Sequence, residues 1–231
     1  MKMTINRMFA MLFAATMLFG CDAVQNANNK QKGAVIGAGS GAAIGGVIGN
    51  NVGDGNTALG AIIGGVVGGA AGGYIGNRMD KQAKEIEREV PGAEVERVGE
   101  GINVTFDESS GVYFDTEKYN INSKSQQTLN KLASIFKEYP DSNILIEGHT
   151  DNTGAESYNL TLSKNRAQAV TNYLAGQGLS NGRFETKWYG ENQPKYDNST
   201  AEGRAKNRRV ELAIIANEDL KREAKQKTGN Q

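Results

Sequence analysis

The sequence predicts an α+β fold: a βαβαββ mixed sheet with its helices on one face, preceded by a glycine-striped helical hairpin. Three observations point there. Between residues 93 and 216, short runs alternate apolar and polar residues as strands do, while two longer runs repeat their apolar residues at helical spacing. Glycine is concentrated elsewhere: 17 of the 30 glycines fall between Gly33 and Gly76, where Asp54 is the only charged residue. A charged stretch ending at Pro91-Gly92 separates the two regions. The expected organisation is a signal peptide over 1–20, a linker over 21–32, the hairpin over 33–77, a charged spacer helix and β-hairpin over 78–104, the α+β domain over 105–216 and a disordered polar tail over 217–231.

At the N-terminus, Lys2 and Arg7 precede an apolar run from Phe9 to Phe19, followed by Gly20 and Cys21. The run is too short for a transmembrane helix and has the layout of a secretory signal. Cys21 is the only cysteine, which excludes an intramolecular disulfide. Leu18-Phe19-Gly20-Cys21 resembles the bacterial lipobox, which implies cleavage before Cys21 and lipidation of its sulfur, an anchor in a membrane. Acyl chains at about 0.8 kcal/mol per buried methylene make such an anchor stable. The resemblance implies an outer-membrane anchor facing the periplasm. Asp22 resembles the signal that retains enteric lipoproteins in the inner membrane, so that destination stays open.

Lys plus Arg and Asp plus Glu both number 26, so no net charge draws the chain to nucleic acid. In the glycine region, Gly33, Gly37, Gly41, Gly45 and Gly49 repeat at four-residue spacing, as do Gly60, Gly64, Gly68, Gly72 and Gly76. Four-residue spacing makes a stripe on a helix. The intervening "NNVGDGNTAL" carries turn residues, so the arms form a hairpin. Each helical glycine costs about 1 kcal/mol relative to alanine. Close backbone packing, in lipid or between sister chains, offsets that cost. The repeat resembles the glycine-zipper segments of bacterial envelope proteins. A seventeen-residue arm reaches about 25 Å, just short of a bilayer core of about 30 Å, so an embedded hairpin and a self-associated one in water both remain open. "GAGSGA" fits a dinucleotide-binding glycine motif, but no strand precedes it and the glycines continue on both sides. Next, "RMDKQAKEIEREV" is charged all round and reads as a solvated spacer helix.

In the domain, "AEVERV" and "INVTF" read as a hairpin and "GVYF" as extended chain. Leu129, Leu132, Ala133, Ile135, Phe136 and Tyr139 mark one face of a helix that Pro140 ends. "NILIEG" is a strand; Leu162, Arg166, Ala169, Val170, Tyr173 and Leu174 mark a second helix; "FETKWYG" and "RRVELAII" are strands. From spacing alone, Asp151 and Arg166 either bind a ligand or pair with each other in an exposed salt bridge worth at most about 1 kcal/mol.

"YFDTEKYNI", "LIEGHTDNTGAESYNLTLSKNRAQAVTNYL", "YGENQP" and "AEGRAKNRRVEL" resemble the OmpA-like C-terminal domain family over about 105–216. With the lipobox and glycine repeat, the chain resembles the YiaD class of envelope lipoproteins. The resemblance implies peptidoglycan as partner, bound through the diaminopimelate of the stem peptide. Asp151 would hold its ammonium and Arg166 grip its carboxylate with a planar fork. Asp115, Thr116, Thr150, Asn152, Asn159 and Arg208 would complete the pocket, with Arg204 structural. Ser163 is expected to cap the helix, which would put Arg166 in its first turn. No cofactor is implied. A hydrolase lacks its G-x-S-x-G elbow, and His149, the only histidine, has no cysteine or second histidine with which to hold zinc. It is expected to be a hydrogen-bonded turn residue. A channel-like zipper oligomer located by the wall-binding domain is the other reading.

Overall fold

A computed structural model describes residues 60–62, 65–106, 111–114 and 117–229. The signal segment, Cys21, the linker, the first glycine arm, Asp115 and Thr116 lie outside the described residues.

The described elements run α1 (Gly69–Glu89), β1 (Glu94–Val98), β2 (Gly101–Phe106), α2 (Ser123–Glu138), β3 (Ser142–His149), α3 (Glu156–Gly176), a 3-10 turn (Asn181–Arg183), β4 (Phe184–Gly190), α4 (Ala201–Asn207), β5 (Val210–Ala216) and α5 (Glu218–Thr228). The strands form one mixed sheet in the order β1-β2-β5-β3-β4. Only β3 and β4 are parallel, and α3 is the crossover that joins them. Strand alternation sends Ile102, Val104, Phe106, Ile144, Ile146, Val210, Leu212 and Ile214 into one core with apolar residues of α1, α2, α3 and α5. These four helices thus share one face of the sheet, as the fold class requires. Asn122 caps α2 by accepting the Ser125 N–H at 2.9 Å. At its other end Arg183 donates to the Phe136, Tyr139 and Ser142 carbonyls at 2.7–2.9 Å, satisfying groups that the helix end leaves open.

Three expectations need correction. The second glycine arm is not one helix from 60 to 76. A helical turn at 60–62 stops, the chain passes through left-handed Gly68 and Gly69, and α1 begins. The cause is Glu100, buried in the β1–β2 turn, whose carboxylate accepts the Val67 and Gly68 N–H groups at 2.7 Å each. An anion at the start of a helix also meets the positive end of its dipole. Ile62 then covers the other face of the sheet beside Leu145 and Ala213. Among the described residues, no helix is long and apolar enough to cross a membrane.

The charged helix is not a solvated spacer. It continues α1 across the boundary expected at 77, and Ile75, Met79, Ala83, Ile86 and Val90 form a buried stripe. Each such large side chain contributes about 1.5–3 kcal/mol when buried. Arg97 of β1 ties the helix down through Asp80 at 2.8 Å and the Gly76 carbonyl at 3.2 Å. The hairpin assigned to the spacer therefore belongs to the domain sheet.

The polar tail is the helix α5, capped by Asn217 and packed on α1 through Leu220 and Ala224. Tyr74 donates to Glu223 at 2.9 Å across the same seam. The 201–207 segment adds the short helix α4, which the βαβαββ pattern did not contain.

An Ile86→Ala substitution is expected to lower the unfolding free energy by about 2–4 kcal/mol, read from urea denaturation. A spacer helix would lose less than about 0.5 kcal/mol.

Candidate functional site

β3 ends at His149, and the chain turns through Thr150 and Asp151 into the loop before α3. Two glycines bring α3 onto this end of the sheet. A Cβ at Gly148 would lie 2.2 Å from the Ser163 carbonyl oxygen, and one at Gly190 would lie 2.9 Å from the Leu160 nitrogen. Gly190 has φ +57°, which glycine accepts without strain. Its N–H donates to Ser163 Oγ at 2.9 Å, and its carbonyl accepts the Thr150 N–H at 2.9 Å. Ser163 is therefore a buried mid-helix lock, not a cap. The helix starts at Glu156 after Ala155, without a side-chain cap, and Arg166 sits well past its first turn. The positive end of the helix dipole therefore lies away from Arg166.

The resulting cleft holds about 520 Å³ and is lined by Thr150, Asp151, Asn159, Arg166, Arg204 and Arg208, together with Glu117, Thr153, Gly154, Ala155, Tyr158 and Leu162. Asp151, 7% exposed, accepts the Thr153 N–H at 2.9 Å and an Arg208 N–H at 2.7 Å. Burial pushes its pKa up, but the hydrogen bonds from Arg208 and Thr153 outweigh this and hold the carboxyl below its ordinary value. It is ionised, and its salt-bridge partner is Arg208 rather than Arg166. Arg166, 3% exposed, donates from Nε to the Lys118 carbonyl at 3.0 Å and lies over the Phe114 ring at 5.2 Å. Both residues are thus buried in the cleft wall, not set on a polar rim.

Asn159 uses its amide nitrogen on the Asp151 and Thr153 carbonyls and on Glu191, so it shapes the loop as well as lining the cleft. The Thr150 hydroxyl is buried and has no hydrogen-bond partner among the described residues. Arg204 lines the cleft while bonding the Asn198 and Ser199 carbonyls, a structural task. Asn152 is exposed and does not line the cleft, which corrects its expected place. Asn207 clamps the preceding loop, accepting the Lys195 and Tyr196 N–H groups at 3.0 Å each, and thereby aims Arg208. Glu117 was not foreseen. It has φ +60° at the cleft rim, a conformation unusual for a residue with a side chain, and adds a second carboxylate.

Residues 113–208 match the OmpA family model. This segment is an OmpA-family domain. Residues 1–80 match the YMGG-like Gly-zipper model. Among curated proteins, outer membrane porin F of Pseudomonas aeruginosa is 42% identical over 120 residues, covering 52% of this chain and 33% of the porin. The probable lipoprotein YiaD of Escherichia coli is 35% identical over 136 residues, 59% of this chain and 62% of that one. The peptidoglycan-binding protein ArfA of Mycobacterium tuberculosis is 43% identical over 88 residues, 38% of this chain and 27% of that one. The chain therefore spans less than two thirds of the length of each. A MotB-like protein from Desulfovibrio vulgaris shares the fold, with TM-score 0.53 at 24% identity over 63% of this chain and 91% of that one. The folded unit is larger than the matched segment, because α1, β1, β2, β5 and α5 lie outside residues 113–208.

Behind the cleft, the OmpA-family domain buries a polar cluster on the sheet face away from the four long helices. Arg209 pairs with Glu211 at 2.6 Å, and the Tyr189 hydroxyl reaches Glu147 at 3.3 Å. His149 is not a hydrogen-bonded turn residue. A register shift at Gly148/His149 tucks its ring against Tyr189 at 5.5 Å, and neither ring nitrogen has a partner among the described residues. Burial, then the charges of Arg209 and Lys195, push its pKa well below the ordinary 6.5.

The sign follows by linkage. Below pH 6.5 the unfolded chain takes up a proton that native His149 refuses. Stability is expected to be full above that value and to fall by about 1.4 kcal/mol per pH unit below it, until the folded pKa is reached. Urea unfolding between pH 7.5 and 5.5 reads the slope, and His149→Gln is expected to flatten it. Asp151 acts in a lower window: its contribution is present above its ordinary value of 3.8 and is lost as pH falls through the depressed folded value.

Proposed function

We propose that the protein is an envelope lipoprotein whose OmpA-family domain binds the diaminopimelate of peptidoglycan stem peptides without covalent chemistry. It thereby tethers the outer membrane to the wall from the periplasmic side. The observation that carries this reading is one concave cleft in which an ionised carboxylate and an anchored guanidinium are both present, Asp151 and Arg166. The end of a diaminopimelate side chain bears an ammonium and a carboxylate on one carbon, the complement of such a pair. Asp151 and Glu117 receive the ammonium, and Arg166 the carboxylate. Arg208 keeps Asp151 ionised and oriented. The partnerless Thr150 hydroxyl offers a further hydrogen bond. Asn159 forms a wall, and Asp115 and Thr116, which precede Glu117 in the chain, are proposed to close the same side.

Cleavage after Gly20 and lipidation of Cys21 are proposed for the membrane end, and association through the first glycine arm for self-assembly. One charge-assisted contact contributes only about 1.5–3 kcal/mol, so a single site binds weakly. Many membrane-held copies facing a polymer of repeated stems hold by avidity. The wall-binding ArfA and the outer-membrane porin F among the relatives support this assignment. Labelled palmitate should enter the wild-type protein and not Cys21→Ser, and fractionation should recover the protein in outer membranes. Recovery in the inner membrane would instead follow Asp22.

In the full chain, Asp151→Asn and Arg166→Gln are each expected to weaken co-sedimentation with diaminopimelate-type sacculi about ten- to hundredfold. Because both positions are buried, thermal melts must first show that the variants fold. Folded variants that sediment like wild type would exclude this cleft. Walls with lysine in place of diaminopimelate lack the side-chain carboxylate and are expected to bind at least about tenfold less.

A further inference from the structure

Beside the Ile62 patch, the sheet face away from the long helices is crossed by an irregular strap, residues 191–200, which leaves β4, reaches the edge strand β1 and returns to α4. On the way the Gln193 carbonyl accepts from Arg209 of β5 at 3.1 Å and Lys195 reaches Thr105 of β2 at 3.4 Å. Lys195 and Tyr196 then both bond Glu94 of β1, at 3.2 and 3.3 Å. Beneath the strap lies the polar cluster, in which His149, Glu147, Arg209, Glu211 and Thr105 are each at most 4% exposed. Asn192, Pro194, Asp197 and Ser199 are exposed, so little apolar burial holds the strap down. Both of its ends are tied to the cleft. At the first, the Gly190 carbonyl accepts the Thr150 N–H; at the second, Arg204 donates to the Asn198 and Ser199 carbonyls, and Asn207 clamps Lys195 and Tyr196 directly before Arg208.

The residues that hold His149 are chain neighbours of cleft residues. Tyr189, on which its ring stacks, precedes Gly190; Arg209, whose carbonyl accepts its N–H, follows Arg208; Thr150 is the next residue along. From this geometry we propose that the strap is a proton-operated latch: one proton taken from solvent by His149 lifts it, withdraws Arg208 from Asp151 and releases the ligand held in the cleft. The latch regulates the site of the diaminopimelate reading and rests on that reading for its ligand. The other charged and titratable groups on this face are already engaged. Glu147 of β3 accepts from Tyr189 of β4, Glu211 pairs with Arg209, Glu94 of β1 with Lys195, and Lys187 of β4 with Glu185. Burial, then Arg209 of β5 and Lys195 of the strap, oppose a charged imidazole and hold its pKa down while the strap is shut. Lifting the strap removes Lys195 and admits water, so the open form accepts the proton. Its population therefore rises about tenfold between pH 7.5 and 5.5, as a histidine near the ordinary 6.5 titrates.

Amide hydrogen exchange on the full chain, corrected for the pH dependence of the intrinsic rate, reads the latch. The Lys195 and Tyr196 amides, both bonded to Asn207, are expected to exchange about tenfold faster at pH 5.5 than at pH 7.5. Ile146, in the doubly paired β3, should stay far slower. A soluble diaminopimelate stem peptide is expected to lose about tenfold in affinity between pH 7.5 and 4.5, a range in which Asp151 stays ionised. His149→Gln should hold both quantities within about twofold. If that variant does not fold, Glu94→Gln cuts the outer tie of the strap at an exposed position, and strap exchange should rise several-fold at every pH with the same acid slope. Strap exchange that does not rise in acid overturns the inference, as does Ile146 exchanging at the strap's rate, the mark of global unfolding. A strap that opens while peptide affinity holds also overturns it and leaves the cleft reading intact. Acid opening governed by His149, with no peptide bound at any pH, upholds the latch and removes diaminopimelate as its ligand.

Discussion

A methyl group at position 148 would collide with the Ser163 carbonyl at 2.2 Å, and one at 190 with the backbone of Leu160 at 2.9 Å. The cleft exists because neither methyl is there. With both positions glycine, α3 descends onto the ends of β3 and β4, and Ser163 Oγ accepts the Gly190 N–H to hold it. Asn159 and Arg166 are then carried on a rigid helix, while Asp151 follows the end of a strand that is itself paired on both sides. Loops contribute groups to the cleft, but packed backbone sets its width.

Electrostatic order follows from that placement. Arg208 and Arg209 are adjacent in the chain and serve opposite sides of the sheet: the first pairs with Asp151 in the cleft, the second with Glu211 behind it. Asp151 is held charged and oriented by Arg208 and Thr153 rather than by water, so the cleft presents a carboxylate that needs little further ordering. The buried neutral His149 stands between these systems, and its backbone N–H is bonded to the Arg209 carbonyl.

Strands and the two long core helices were legible because their apolar periods are local. The Asp151 and Arg166 motif was legible only through resemblance, since spacing alone favoured an ion pair between them. Other features depend on partners distant in sequence. The glycine arm looked continuous because its stripe is continuous; the residue that interrupts it, Glu100, lies 32 positions beyond Gly68. The stripe Ile75, Met79, Ala83 and Ile86 has helical spacing but straddles an abrupt change of composition, and charges on every other side of the helix concealed it. α5 buries only Leu220 and Ala224, too few for a polar tail to declare itself as helix. Ser163 carries the chemistry of a cap, yet its partner Gly190 is 27 residues away.

The Glu100 carboxylate has a mechanical consequence. In the sheet register, Ile102 of β2 lies opposite Ile214 and Phe106 opposite Val210, while Gly148 also meets Val210. The Glu100 turn and the cleft are therefore at opposite ends of the strands. A pull on the N-terminal segment enters the sheet where Glu100 grips Val67 and Gly68, travels along paired strands, and reaches the cleft last. Tension on the leading segment would load the Glu100 grip before it could widen the cleft.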